Sequence, residues 1–322
     1  MNDGSGSYQD WRALEQAIKE AARSAARRAG PGVSAAAVDA QIRQARFDRF
    51  LCRFFAQGDE SEWLLKGGMG MLARIPRSRA TRDIDLASTR EDDLAAAGKA
   101  LENLVAVELG DHLIFRLSRS SPTGLGDNQP GVATRRLVFT CLDIDHDTQV
   151  DTVAVDVVVG PPPTGSIEMI EPANRIQLDR PLVTYPYRLY PVVDQVADKV
   201  CATMDVYPRG KRSSRVKDLV DLIVIAHTQT VELADLRAAI DIKRALSGMA
   251  PFTQLDIPDA WARTWRATAM GVPVAARYPL AAATRTVSAF IGPALDERVA
   301  NATWNPDNLT WEHCIDHDED TP

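Results

Sequence analysis

The chain has 322 residues, of which 45% are hydrophobic and 25% charged, a make-up that supports a sizeable buried core and excludes wholesale disorder. Its 37 basic and 44 acidic residues leave a net charge of −7, which argues against a protein that coats nucleic acid by general phosphate neutralisation, though not against a local basic groove. The four cysteines (Cys52, Cys141, Cys201 and Cys314) form no Cys-x-x-Cys pair, residues 1–7 do not read as a signal peptide, and no long apolar run occurs. Reduced thiols, a cytoplasmic location and no membrane partner are therefore expected.

Helical spacing of Trp11, Leu14, Ala17 and Ile18 predicts a helix over 10–29. Val38, Ile42, Phe47, Phe50, Leu51 and Phe54 predict a second over 36–56, with Gly30-Pro31-Gly32 as the break. Trp63-Leu64-Leu65 reads as a strand that turns at Gly67-Gly68 into a short helix over 69–75. Ile84 and Leu86 flank an acidic pair on a second strand, and 91–105 is Ala/Leu-rich and helical. Strands follow over 112–117, 135–141 and 152–159, with a Ser/Pro/Gly-rich loop at 120–131 read as exposed. Pro161-Pro162-Pro163 ends the last of these, and 164–189 is mixed. Helices are then expected over 192–204, 215–227, 232–246, 258–270 and 279–291, with a basic loop at 207–214.

The expected class is α+β. Helices over 1–60 pack on a mixed-sheet lobe at 61–163 that carries the metal site. A mainly helical lobe at 164–312 completes the active site, and 313–322 is an acidic flexible tail.

The central chemical feature is Asp83-Ile84-Asp85. Side chains at i and i+2 of a strand share a face, so two carboxylates ~7 Å apart can converge on a divalent cation. An isolated Asp-x-Asp is more often a solvated strand end, so its company decides. Gly67-Gly68 upstream lets a backbone approach phosphate closely and opens a helix N-terminus to an anion. Arg74, Arg77, Arg79 and Arg82 lie between the two, and guanidinium binds phosphate oxygens bidentately. Asp156 is the single carboxylate in the apolar run Val153–Val159, either a third metal ligand or the partner of an arginine. Lys199 lies beside the apolar stripe of its helix, and Asp218 and Asp221 are neighbours on the next, adjoined by Arg215 and Lys217. These either form a salt bridge joining two helices or contact a nucleotide's phosphates.

Leu65-Lys66-Gly67-Gly68, Arg79-x-Thr81-x-Asp83-x-Asp85-Leu86, Lys199-Val-Cys-Ala202 and Lys217-Asp218-Leu-Val-Asp221-Leu222 together resemble the AbiEii-like nucleotidyltransferases. These are toxins of type IV-style toxin–antitoxin and abortive-infection systems, and the mycobacterial members add nucleotides to tRNA. The resemblance covers roughly residues 40–230. It implies a DNA polymerase β-like lobe followed by a helical lobe, Asp83 and Asp85 as Mg2+ ligands, and Lys199 as an essential phosphate contact. It places an essential aspartate at Asp218 or Asp221 and Thr81 next to the nucleotide. Gly67, Gly68, Arg79, Thr81 and Arg215 are the expected substrate-binding residues, and Asp156 is an additional metal ligand by analogy. Two positions depart from the family pattern: Met69 stands where a hydroxyl residue is usual, and Lys217 where arginine is usual. The expected activity is transfer of NMP from an NTP to an RNA, tRNA 3′ ends above all, with a cognate antitoxin as partner. A small-molecule or protein-hydroxyl acceptor, or a catalytically silent regulator, are the alternatives.

Overall fold

The computed structural model describes residues 8–29, 34–89, 93–123, 134–296 and 301–313. The chain opens with two long helices, α1 (Trp11–Ala29) and α2 (Ala35–Phe54), the second capped by the Ser34 hydroxyl on the Ala37 amide. A short 3-10 turn leads into β1 (Trp63–Lys66), which runs directly into α3 (Gly67–Arg74). Next come β2 (Ile84–Ser88) and α4 (Leu94–Leu104), whose first turn is capped by the Asp93 side chain. A long meander follows: β3 (Leu113–Thr123), β4 (Thr134–Asp143) and β5 (Thr148–Val159).

Two short strands, β6 (Glu168–Ile170) and β7 (Tyr187–Leu189), then join the same sheet, whose order is β3-β4-β5-β2-β1-β7-β6. The β5/β2 and β1/β7 pairs are parallel and the others antiparallel, so the sheet is mixed. The sheet thus runs on past the three prolines, to Leu189. The loop expected from residue 120 starts later as well, because Ser120–Thr123 stay paired to β4 beyond a bulge at Leu117/Arg119. β3 is an edge strand, the place in a sheet where a proline such as Pro122 is tolerated. Residues 124–133 of that expected loop lie outside the described residues, as do 314–322 of the expected acidic tail.

The remainder is mostly helical: α5 (Val192–Met204), α6 (Val216–Ala226), α7 (Leu233–Leu246), α8 (Ala262–Ala269) and α9 (Leu280–Ile291). The basic loop folds as a small hairpin of β8 (Val206–Tyr207) and β9 (Lys211–Arg212). A three-stranded sheet of β10 (Val231–Glu232), β11 (Ala302–Asn305) and β12 (Thr310–His313) was not legible in the sequence.

Two apolar cores result. One gathers α1, α2 and α4 with the strands around Phe50, Phe54, Trp63 and Phe139. The other surrounds α6, which is buried on every side from Asp218 to Ala226 and takes in Trp261, Trp265 and Trp304. Each of these indoles donates to a backbone carbonyl, of Ser213, Tyr278 and Ala226 respectively, so the tryptophans pack and bond inside the lobe.

Candidate functional site

Residues on four adjacent strands line up across the sheet: Lys66 opposite Asp85, Asp85 opposite Asp156, and Asp156 opposite Arg136. Laterally paired residues point to the same face, so this is a row of charges reading plus, minus, minus, plus. The opposite face of the same strands carries Ile84, Leu86, Val155 and Val157, all fully buried. That alternation is what turns the carboxylates toward the cleft. Asp83 sits one residue before β2 proper, at its mouth.

The row forms one wall of a cavity of about 580 Å³. It also takes in Gly67, Gly68, Arg79, Thr81, Arg82, Asp83, Lys199, Arg215, Lys217 and Asp218. Every expected site residue except Asp221 therefore lines a single cavity. Asp221 stands just behind the wall, within reach of Lys199.

Gly67 is required by conformation and by space. Its φ is 62°, and a Cβ there would sit 1.9 Å from the Asp85 carboxylate oxygen. At Gly68 a Cβ would meet Thr81 Cβ at 2.8 Å. The double glycine thus lets the N-terminus of α3, which has no side-chain cap, settle against the acidic strand end. Gln195 of α5 fixes the turn by donating to the Gly67 carbonyl at 2.8 Å. Met69, at the position where a hydroxyl is usual, is instead buried in the first core.

Burial pushes the Asp85 carboxyl up to about 6, with Asp156 and Asp83 pushing the same way against Lys66 and Lys217. A carboxylate crowded by like charge and oxygen donors suits a hard divalent cation, so Asp83 and Asp85 fit Mg2+. Asp156 is differently placed. Arg136 donates to both of its oxygens, at 2.8 and 2.6 Å, and stands 3.8 Å from Asp83. The pairing with an arginine, one of the two readings of Asp156, is thus present. Among the described residues no group of three carboxylate, histidine or cysteine side chains is arranged to hold an ion together.

Opposite the acidic row lies an ion chain built from two helices and a loop. Arg79 approaches Asp221 at 3.4 Å, Asp221 accepts from Lys199 at 2.7 Å, Lys199 is 3.6 Å from Asp218, and Asp218 accepts from Arg215. The helix-joining salt bridge is therefore real, yet Lys199, Asp218 and Arg215 remain on the cavity wall. Burial works against the Lys199 charge, but Asp221 and Asp218 outweigh it and hold the ammonium above the ordinary lysine value. Lys217 is exposed on the cavity rim and makes no ion pair among the described residues. Burial and Arg215 lower its ammonium below the ordinary value.

Several contributors escaped the sequence reading. Lys66 bonds Asp198 at 2.6 Å and lies over the Tyr190 ring, and Lys243 takes the other Asp198 oxygen at 2.5 Å. Lys66 stands in the Leu65-Lys66-Gly67-Gly68 motif but had no role assigned there, and Arg136, Gln195 and Asp198 carry no motif; strand register or helix contact brings them in. Conversely, Arg74 turns away to Glu168, Arg77 is exposed off the cavity, and Arg209, Lys211 and Arg212 of the β8–β9 hairpin do not line it.

Residues 49–300 match the family described as "Nucleotidyl transferase AbiEii toxin, Type IV TA system". The chain belongs to the AbiEii nucleotidyltransferase toxin family. This AbiEii member is a nucleotidyltransferase, and the family brings with it a nucleotide substrate and an antitoxin partner. Its fold is similar to that of MenT4, a nucleotidyltransferase toxin from Mycobacterium tuberculosis H37Rv, with a TM-score of 0.50 and 14% identity over 88% of this chain and 94% of that one. JHP933 from Helicobacter pylori matches at a TM-score of 0.36 and 14% identity, over 76% of this chain and 92% of that one. No curated protein sequence matches the chain. Among the described residues no helix is long and apolar enough to cross a membrane.

Proposed function

We propose that this AbiEii protein transfers a nucleoside monophosphate from an NTP to the 3′-hydroxyl of an RNA, with tRNA as acceptor, and releases pyrophosphate. The observation that carries the reading is one cavity in which an acidic strand row faces a cationic wall and an uncapped helix start.

In this reading Asp83 and Asp85 hold Mg2+. The ion supplies charge neutralisation of the triphosphate and lowers the pKa of an attacking hydroxyl. The backbone amides at Gly67 and Gly68 donate to a phosphate held against the α3 N-terminus, with Thr81 beside them. Lys199 and Lys217 face charge that develops on the leaving pyrophosphate, supported by Arg79 and Arg215. Asp221 orients Lys199, and Asp218 holds both Lys199 and Arg215, so the two aspartates act through the cations they position. Arg209 and Lys211, exposed outside the cavity, would supply the positive charge that tracks an RNA backbone.

Incubating purified protein with each labelled NTP, total tRNA and Mg2+ tests the reading. Label is expected in tRNA with at least one NTP, and Asp83→Ala should abolish it. Transfer to no RNA with any NTP, by folded protein, would sink the RNA version and turn attention to a small-molecule or protein hydroxyl.

A further inference from the structure

Beyond Asp83 and Asp85 the strands bring up a third carboxylate, Asp156, and it already has a partner. Arg136 grips both oxygens of Asp156 in a bidentate fork, and the same Nη2 stands 3.8 Å from Asp83 Oδ1. The guanidinium therefore bridges the two carboxylates at the place where a second ion of a two-metal pair would have to share ligands.

Its position is set by the sheet itself. Arg136 and Asp156 are register partners on the antiparallel β4/β5 ladder, with β5 in turn locked to β2 at Asp85. The charges also balance. Asp83, Asp85 and Asp156 carry three negative charges, and one divalent cation plus one guanidinium supply three positive.

We infer that Arg136 takes the place of a second divalent cation, so that this site binds one ion, on Asp83 and Asp85, rather than two. The inference rests on the metal-dependent reading above and deepens it. Arg136 is then a fixed positive charge that cannot be removed by chelation and keeps Asp156 from recruiting metal. Exchange with solvent is confined to the single ion on the β2 side of the row.

Manganese binding to the full-length protein without nucleotide tests this, with free Mn2+ read by electron paramagnetic resonance. The expected stoichiometry is one for the native protein, one for Arg136→Lys, and none for Asp83→Asn. Arg136→Ala should bind two, because Asp156 is released to join the carboxylates. Arg136→Gln, which keeps bulk and removes charge, should do the same if the alanine variant does not fold. Two ions on the native protein would overturn the inference while leaving the metal-dependent reading intact. One ion on both charge-removing variants, folded by circular dichroism, would overturn it too, since the guanidinium would not be what excludes the second. No ion on the native protein would defeat the metal-dependent reading and the inference with it.

Discussion

A hydrogen atom is all that Gly67 can carry between its left-handed backbone and the Asp85 carboxylate. Gly67→Ala should therefore displace the acidic pair or the α3 start, with nucleotidyl transfer falling by about a hundredfold, as misplacement of ~1 Å can do. Steady-state kinetics on protein with native circular dichroism checks this; unchanged kcat would show that the contact does not matter. Lys217 sets a contrasting case. It is exposed and in no ion pair among the described residues, so Lys217→Ala should change the unfolding free energy by no more than about 0.5 kcal/mol, the range of surface substitutions, while raising KM for NTP. Lys217→Arg should restore KM, and a fall in kcat alone would count against a phosphate contact. Much at this scale was readable beforehand: the double glycine and the two acidic motifs needed only spacing. The parts played by Arg136 and Lys66 were not, because exact strand register sets Arg136 on Asp156 and a helix contact sets Lys66 on Asp198, and neither shows as a spacing in the sequence.

α6 shows how an element can be both core and site. From Asp218 on it is buried all round, yet it carries Asp218 and Asp221, whose carboxylates are paired with Lys199, Arg215 and Arg79. Asp221→Asn should leave Lys199 buried beside one fewer carboxylate and cost about 3 kcal/mol of stability. Because Asp221 stands behind the cavity wall, kcat should fall more than NTP affinity, and equal losses in both would make it a direct ligand. Long periodic elements such as α5 were legible to the residue, since apolar spacing over several turns leaves little choice. β6, β7 and the three C-terminal strands were not. Segments of two to four residues have too little pattern to distinguish from loops, and they pair only because a finished edge awaits them.

The two cores meet where Asp198 of α5 is gripped by Lys66 of β1 and Lys243 of α7. Burial favours the neutral acid, but these two ammonium groups overcome it and bring the Asp198 carboxyl down to about 2. A depressed folded value gives stability that is whole above the ordinary carboxyl range near 3.8 and is lost as pH falls through about 2. The difference is of the order of 2 kcal/mol. Acid unfolding followed by tryptophan fluorescence should thus be shallower between pH 4 and 2 in Asp198→Asn, on top of a lower stability at neutrality; an unchanged acid limb would refute the linkage. The same join has a consequence for how the protein is made. A ribosome has already delivered the whole acidic row once residue 156 emerges, but Lys199 and Asp221 lie tens of residues further on. The acidic row is therefore complete in the emerging chain well before the cationic wall that faces it has been made.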